Sequence, residues 1–153
     1  MVKLEARMVE FITTAMTALQ PEDVFAWDVV NEAVQGGEGD LFKETHWQGI
    51  PDLICKAFKA ARRANPKAKL FYNDYGFETG VGWEQHKADK IFQLVKDNKD
   101  CGIDGIGFQS HIQSSYTEEQ LEGIRANMQR YAAIGLEVHV TELDVKCPWD
   151  HEA

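Results

Sequence analysis

The chain is 153 residues long and 44% hydrophobic, with a formal charge of −9 and a pI near 5.0, values that fit one soluble domain. The acidity argues against a nucleic-acid binder, which would carry a basic stripe. No apolar run approaches the roughly 20 residues of a membrane span.

Residues 1–7 lack the apolar core of a signal peptide. Leu4, Met8, Phe11, Ile12, Ala15 and Leu19 recur at helical spacing, predicting an amphipathic helix that Pro21 stops. Residues 24–30 form a short apolar, β-branched and aromatic run, hence a strand, and glycines make 35–40 a loop. Pro51 suits the first turn of a second helix carried by Leu53, Ile54, Ala57, Phe58 and Ala61 and ended near Asn65-Pro66. A strand over 69–73 and a helix over 83–98, with Ile91, Leu94 and Val95 on its apolar face, come next. A third strand covers 103–109. Thr117-Glu118-Glu119-Gln120 reads as a capping box opening a helix through Leu121, Ile124, Met128 and Tyr131. Gly135 closes that helix, and 136–143 is the fourth strand.

Alternating helices and strands imply parallel strands joined by helical crossovers, with no domain boundary. No Gly-rich dinucleotide turn follows any strand, which removes the best test of a doubly wound sheet. Polar residues at all four strand ends favour a barrel. A complete (β/α)8 barrel takes about 250 residues, so four strands are half of one. Cys55, Cys101 and Cys147 are an odd count with no C-x-x-C, and the five His residues do not group. Neither a disulfide framework, a metal site nor a cofactor is expected.

Glu32 and Glu142 each close an apolar strand. Cleavage of a glycosidic bond needs two such carboxyl groups, one to protonate the leaving oxygen and one to capture or stabilise the oxocarbenium-like centre. Residues two apart on a strand face the same way, which pairs Gln109 with His111, Glu142 with Asp144, and Asn73 with Tyr75. Asp28 shares the parity of Glu32 and reads as a buried structural acid. Trp27 and His139 have the opposite parity to their neighbouring Glu and read as packing residues. Trp47 and Trp83 stand where helices begin, so packing is expected of them. Trp149 follows the last strand and is the best candidate for stacking on a sugar. Ile106 and Val138 are expected to point inward.

Trp27-Asp28-Val29-Val30-Asn31-Glu32-Ala33, Asn73-Asp74-Tyr75, Asp104-Gly105-Ile106-Gly107-Phe108-Gln109-Ser110-His111 and Thr141-Glu142-Leu143-Asp144 resemble the fourth to seventh strand signatures of glycoside hydrolase family 10. Those enzymes are retaining endo-β-1,4-xylanases with a TIM-type (β/α)8 barrel. The resemblance covers essentially all of residues 1–153 and implies a partial barrel, from about the third helix to the seventh strand. Strands one to three and strand eight have no counterpart, nor do the Lys, His, Asn and Trp residues they supply to the sugar cleft.

The resemblance implies that Glu32 is the acid/base and Glu142 the nucleophile of a double displacement. Asn31 would bind the sugar 2-hydroxyl, His111 would hold Glu142, and Asp144 would hold His111. Asn73, Tyr75, Gln109, His111 and Trp149 would contact substrate. Gly76 stands where the family often has Asn. The implied substrate is xylan or xylo-oligosaccharide, and the implied location is extracellular, with any export signal outside this chain. Two alternatives remain, a related clan cellulase or mannanase and a non-catalytic half-barrel polypeptide. A half barrel would leave open edges at the strands ending at Val30 and Val140. Self-association, or pairing with the missing barrel segments, and weak or no activity alone are therefore expected.

Overall fold

The computed structural model describes residues 2–19, 22–35 and 46–147. Helices α1 (Val2–Thr17), α2 (Leu53–Ala64), α3 (Gln85–Asn98) and α4 (Glu118–Ala133) alternate with strands β1 (Ala26–Asn31), β2 (Lys69–Asp74), β3 (Gly105–Phe108) and β5 (Glu137–Val140). Two short strands, β4 (His111–Gln113) and β6 (Asp144–Lys146), follow β3 and β5. The long strands form one parallel sheet in the order β1-β2-β3-β5, and β4 pairs with β6. Each new strand is added beside the previous one, as in a barrel wall; a doubly wound sheet reverses its order at a switch point. Among the described residues β1 and β5 are the edges of this wall.

Several element ends differ from expectation. Pro51 stands before α2, whose N-cap is Asp52 with a φ of 53°. The third helix starts at Gln85, after a 3-10 turn over Gly82–Glu84, and the fourth strand ends at Val140 rather than 143. The Thr117/Gln120 capping box forms in both directions, and Gly135 takes a φ of 78° after α4. Pro21, and residues 36–40 of the expected loop, lie outside the described residues.

The two faces of the sheet are distinct. Leu70, Tyr72, Ile106 and Phe108 are buried in one core with Phe58 of α2, Ile91 and Val95 of α3, and Tyr131 of α4. Phe108 meets Phe77 at 4.6 Å and the edge of Tyr131 at 5.8 Å between ring centres, geometries worth about 0.5–1.5 kcal/mol each beyond burial. Ile106 and Val138 therefore pack outward against the helices, not inward as expected, because the core of the described chain lies between sheet and helices. Trp27 packs against the same core.

On the opposite, concave face, Lys69 pairs with Glu137, and Phe71 stacks on His139 at 4.1 Å. Asp28 is exposed there, which corrects its reading as a buried acid. Trp83 is 76% exposed, not packed, since the 3-10 turn that carries it precedes the helix proper. Trp47 is half-exposed beside Met8 and Phe11. Phe11, counted in the apolar stripe of α1, is itself exposed, while Met8 and Met16 are buried.

A disulfide joins Cys55 of α2 to Cys101, leaving Cys147 free and exposed. The odd count had suggested otherwise. The pairing arises because α2 and the end of α3 cover neighbouring strands, a proximity that spacing along the chain does not reveal.

Candidate active site

The site lies where the parallel strands end together. The chain turns sharply after β1: Glu32 has a φ of 54°, and its N–H donates to the Asn73 carbonyl at 2.9 Å. A positive φ outside glycine needs surrounding support. Tyr72 supplies some of it, because its buried hydroxyl accepts from the N–H groups of Ala33 and Val34 at 3.1 and 3.3 Å. The same hydroxyl donates to Asp74 Oδ2 at 2.5 Å, and buried Lys87 pairs with Asp74 Oδ1 at 2.8 Å. Burial pushes the Asp74 carboxyl up, with Lys87 pulling it back, and holds the Tyr72 phenol well above its usual range.

Hydrogen bonds connect the two glutamates. Gln109 Nε2 donates to Glu32 Oε1 at 2.8 Å and lies 3.2 Å from Asn31 Oδ1. Asn73 Nδ2 donates to the same Asn31 oxygen and to Glu142 Oε1, both at 2.9 Å. Thr141 completes the arrangement by donating to Asn73 Oδ1 at 2.7 Å. Asn73 and Gln109 are each only 2% exposed, while Asn31, Glu32 and Glu142 are exposed. Buried amides thus stand between and beneath two accessible carboxylates. This packing requires glycine at 107, where an added Cβ would sit 2.3 Å from Asn73 Oδ1.

His111 reaches the opposite side of Glu142. Its Nδ1 is 2.9 Å from Asp144 Oδ2, and its Nε2 is 3.5 Å from Glu142 Oε2. The hydrogen bond to Asp144 raises the His111 pKa, and the two carboxylate charges add to it. The parity assumed for Gln109 and His111 does not hold, since β3 ends at Phe108 and Ser110 takes a φ of 62°. That turn sends Gln109 under Glu32 and His111 towards Glu142, and β4 then pairs His111 with Asp144. On the concave face, partial desolvation pushes the Asp28 carboxyl up; the Glu142 charge adds, and His139 opposes.

Tyr75 is 44% exposed and lines a hollow with Glu32, Val34 and Gln35. Lys87 lies against its ring, 4.0 Å from the ring centre. Trp149 lies outside the described residues. Sequence reading missed Tyr72, Lys87, Thr141 and Gly107. Thr141 and Gly107 share the parity of the inner face and were legible in principle. Tyr72 and Lys87 act from the helix side and carried no such signal.

The sequence profile of glycosyl hydrolase family 10 matches residues 1–152. The endo-1,4-beta-xylanase A of Thermotoga maritima is 44% identical over 143 residues, 91% of this chain and 13% of that protein. The endo-1,4-beta-xylanase of Geobacillus stearothermophilus is 39% identical over 143 residues, again 91% of this chain, and 41% of its own length. The crystal structure of xylanase 10B from Thermotoga maritima superposes with a TM-score of 0.86 at 33% identity, covering 98% of this chain and 45% of that one. A Thermoanaerobacterium saccharolyticum xylanase solved with xylotriose gives 0.81 at 35% identity, covering 93% and 44%. The chain therefore spans less than half the length of these relatives. With the family profile spanning nearly all of it, and a wall of parallel strands presenting polar residues at one end, the chain belongs to glycosyl hydrolase family 10.

Proposed function

We propose that this chain carries the catalytic pair of a retaining endo-β-1,4-xylanase. Glu142 attacks the anomeric carbon, and Glu32 protonates the departing oxygen. A glycosyl-enzyme ester forms as the leaving sugar departs with Glu32's proton. Water, deprotonated by Glu32, then cleaves the ester and restores both carboxyls. The observation that supports this most is the hydrogen-bonded relay from Glu32 through Gln109, Asn31 and Asn73 to Glu142, which fixes two exposed carboxyl groups at one strand end. A retaining mechanism needs them about 5–5.5 Å apart.

Each remaining residue has a part in this reading. Asn31 Oδ1 is taken by two donors, which leaves its Nδ2 to donate to the sugar 2-hydroxyl. Asn73 holds Glu142, and Gln109 holds Glu32, both from buried positions. His111, oriented by Asp144, keeps Glu142 aimed. Tyr75 offers its outer ring face to a sugar beside Glu32, and Trp149 is a stacking residue. Xylan is the substrate because the relatives are named xylanases and one was solved with xylotriose. The Cys55–Cys101 disulfide suits the extracellular location expected for the protein.

The concave face holds only half of a cleft, and substrate positioning supplies much of an enzyme's rate. Weak or no hydrolysis by this chain alone is therefore expected, as is pairing of its open edges with one another or with the complementary strands of a relative's barrel. Reducing-sugar release from xylan, cellulose and mannan, with and without those strands, tests the reading. Preference for xylan supports it. Preference for cellulose or mannan, or no hydrolysis even with the complementary strands in place, overturns it.

A further inference from the structure

Ser110 is where the chain leaves β3 and turns into β4. Its φ of 62° costs a non-glycine residue of order 1–3 kcal/mol unless its surroundings impose it. The Ser110 N–H donates to Glu78 Oε1 at 2.9 Å. Its carbonyl accepts from the N–H groups of Ile112 and Asp144 at 3.0 and 3.3 Å. Glu78 is 3% exposed, and its Oε2 accepts the Phe77 N–H at 2.9 Å. From α4, Asn127 Nδ2 donates to the carbonyls of Phe77 and Glu78 at 2.7 and 3.1 Å. Glu78 is thus clamped to the helix layer on one side and to the Ser110 turn on the other.

We propose that Glu78 is a positioning residue whose buried carboxylate imposes the Ser110 turn, and so aims Gln109 at Glu32 and His111 at Glu142. Both carboxylate oxygens receive an N–H, which only the acceptor-only ionised form satisfies fully. Burial leaves the Glu78 pKa raised, with the Ser110, Glu78 and Phe77 N–H groups opposing it in part and the Glu84 charge adding to it; it is the two N–H donors that favour the ionised form. The neighbouring buried Glu84 has donors of its own, the Thr79 N–H and hydroxyl at 2.7 and 2.8 Å, so it leaves Glu78's partners to Glu78. A single helix-side acid therefore governs a residue on each side of the turn. Its importance for catalysis rests on the roles proposed for Glu32 and Glu142, but its effect on His111 does not.

The test uses Glu78→Gln in the chain as it stands, with the His111 pKa followed by NMR. An amide turns an NH2 towards one of the two N–H donors, so one anchor is lost. The expected result is a fall of the His111 pKa towards the ordinary value of about 6.5, as its contacts with Asp144 and Glu142 loosen. Glu78→Gln combined with Ser110→Gly should restore it, because glycine takes a positive φ without the penalty. If Glu78→Gln does not fold, Asn127→Ala, which loosens the Glu78 loop, should produce the same fall and the same rescue. An unchanged His111 titration in the folded variant, or no rescue by glycine, overturns the proposal. Loss of xylan hydrolysis is read separately, so a failed functional reading leaves the His111 result standing.

Discussion

An alanine at Gly107 would place its methyl carbon 2.3 Å from Asn73 Oδ1 and 3.0 Å from the Thr141 methyl group. Ordinary contact begins at 3.4 Å, so Asn73 must retreat by about 1 Å, a displacement of the size that costs about 10²-fold in rate when it misplaces catalytic groups. It has little freedom to do so. Asn73 is 2% exposed and bonded to Asn31, Glu142 and Thr141. Overpacking of this kind costs typically ~1–3 kcal/mol, and each weakened hydrogen bond about 0.5–1.5 kcal/mol more. Overpacking with one weakened bond totals about 1.5–4.5 kcal/mol, which would lower Tm by roughly 3–18 °C for a domain of this size. Thermal unfolding gives the first readout, and the side-chain amide NMR signals of Asn73 the second. A Gly107→Ala chain with unchanged Tm and unmoved Asn73 signals would refute the claim that β3 is glycine here to admit the relay.

Further outcomes follow from the same geometry. Glu142→Gln should abolish hydrolysis of every substrate, whereas Glu32→Ala should spare the first step for aryl xylosides, whose leaving groups need little protonation; equal losses on aryl xylosides and xylan would contradict the division of roles. Asp144→Asn removes the main cause of the raised His111 pKa, so that pKa should fall in an NMR titration. Because the folded-state pKa is raised, the stabilisation from protonated His111 is complete below the ordinary value of about 6.5 and fades as pH rises through the raised one. The Tm deficit of Asp144→Asn should therefore be larger at pH 5 than at pH 9, by thermal melts, with the opposite trend refuting the linkage. The Cys55–Cys101 bond spans 46 positions, so Cys101→Ser should cost about 2–4 kcal/mol in denaturant unfolding. Labelling of three thiols rather than one in the native, unreduced chain would show that the bond is absent.

Local pattern made the alternation legible. The capping box at Thr117, the stop at Gly135 and the four strands all follow from period and propensity within a few residues. The polar strand ends were legible for the same reason, and with them Glu32 and Glu142, whereas Asn73 and Gln109 were named through the family resemblance. The reading of which side chains point inward failed at Ile106 and Val138. A strand packed on both faces in a closed barrel carries apolar residues on each side, so period alone cannot name the inner one. The glycines of β3 were the usable signal, since close approach from Asn73 permits nothing larger at 107. His111 was assigned to the site by the family resemblance, with support from a parity that the Ser110 turn breaks, and it arrives there through β4 instead. Tyr72, Lys87 and Glu78 support the site from the helix side. Their contacts join distant parts of the chain, and nothing in their spacing announces them.

The pairing of Glu142 as nucleophile with Glu32 as acid/base can be tested most directly by trapping the covalent intermediate. The chain would be incubated with an activated 2-deoxy-2-fluoro-xyloside, which slows breakdown of the glycosyl-enzyme, and then mapped by peptide mass spectrometry. A single turnover is enough, so a slow chain still accumulates the adduct. The predicted result is one glycosyl ester on Glu142, lost in Glu142→Gln and still formed in Glu32→Ala. An adduct on another residue, no adduct even with the complementary barrel strands supplied, or hydrolysis with inversion at the anomeric carbon would contradict it.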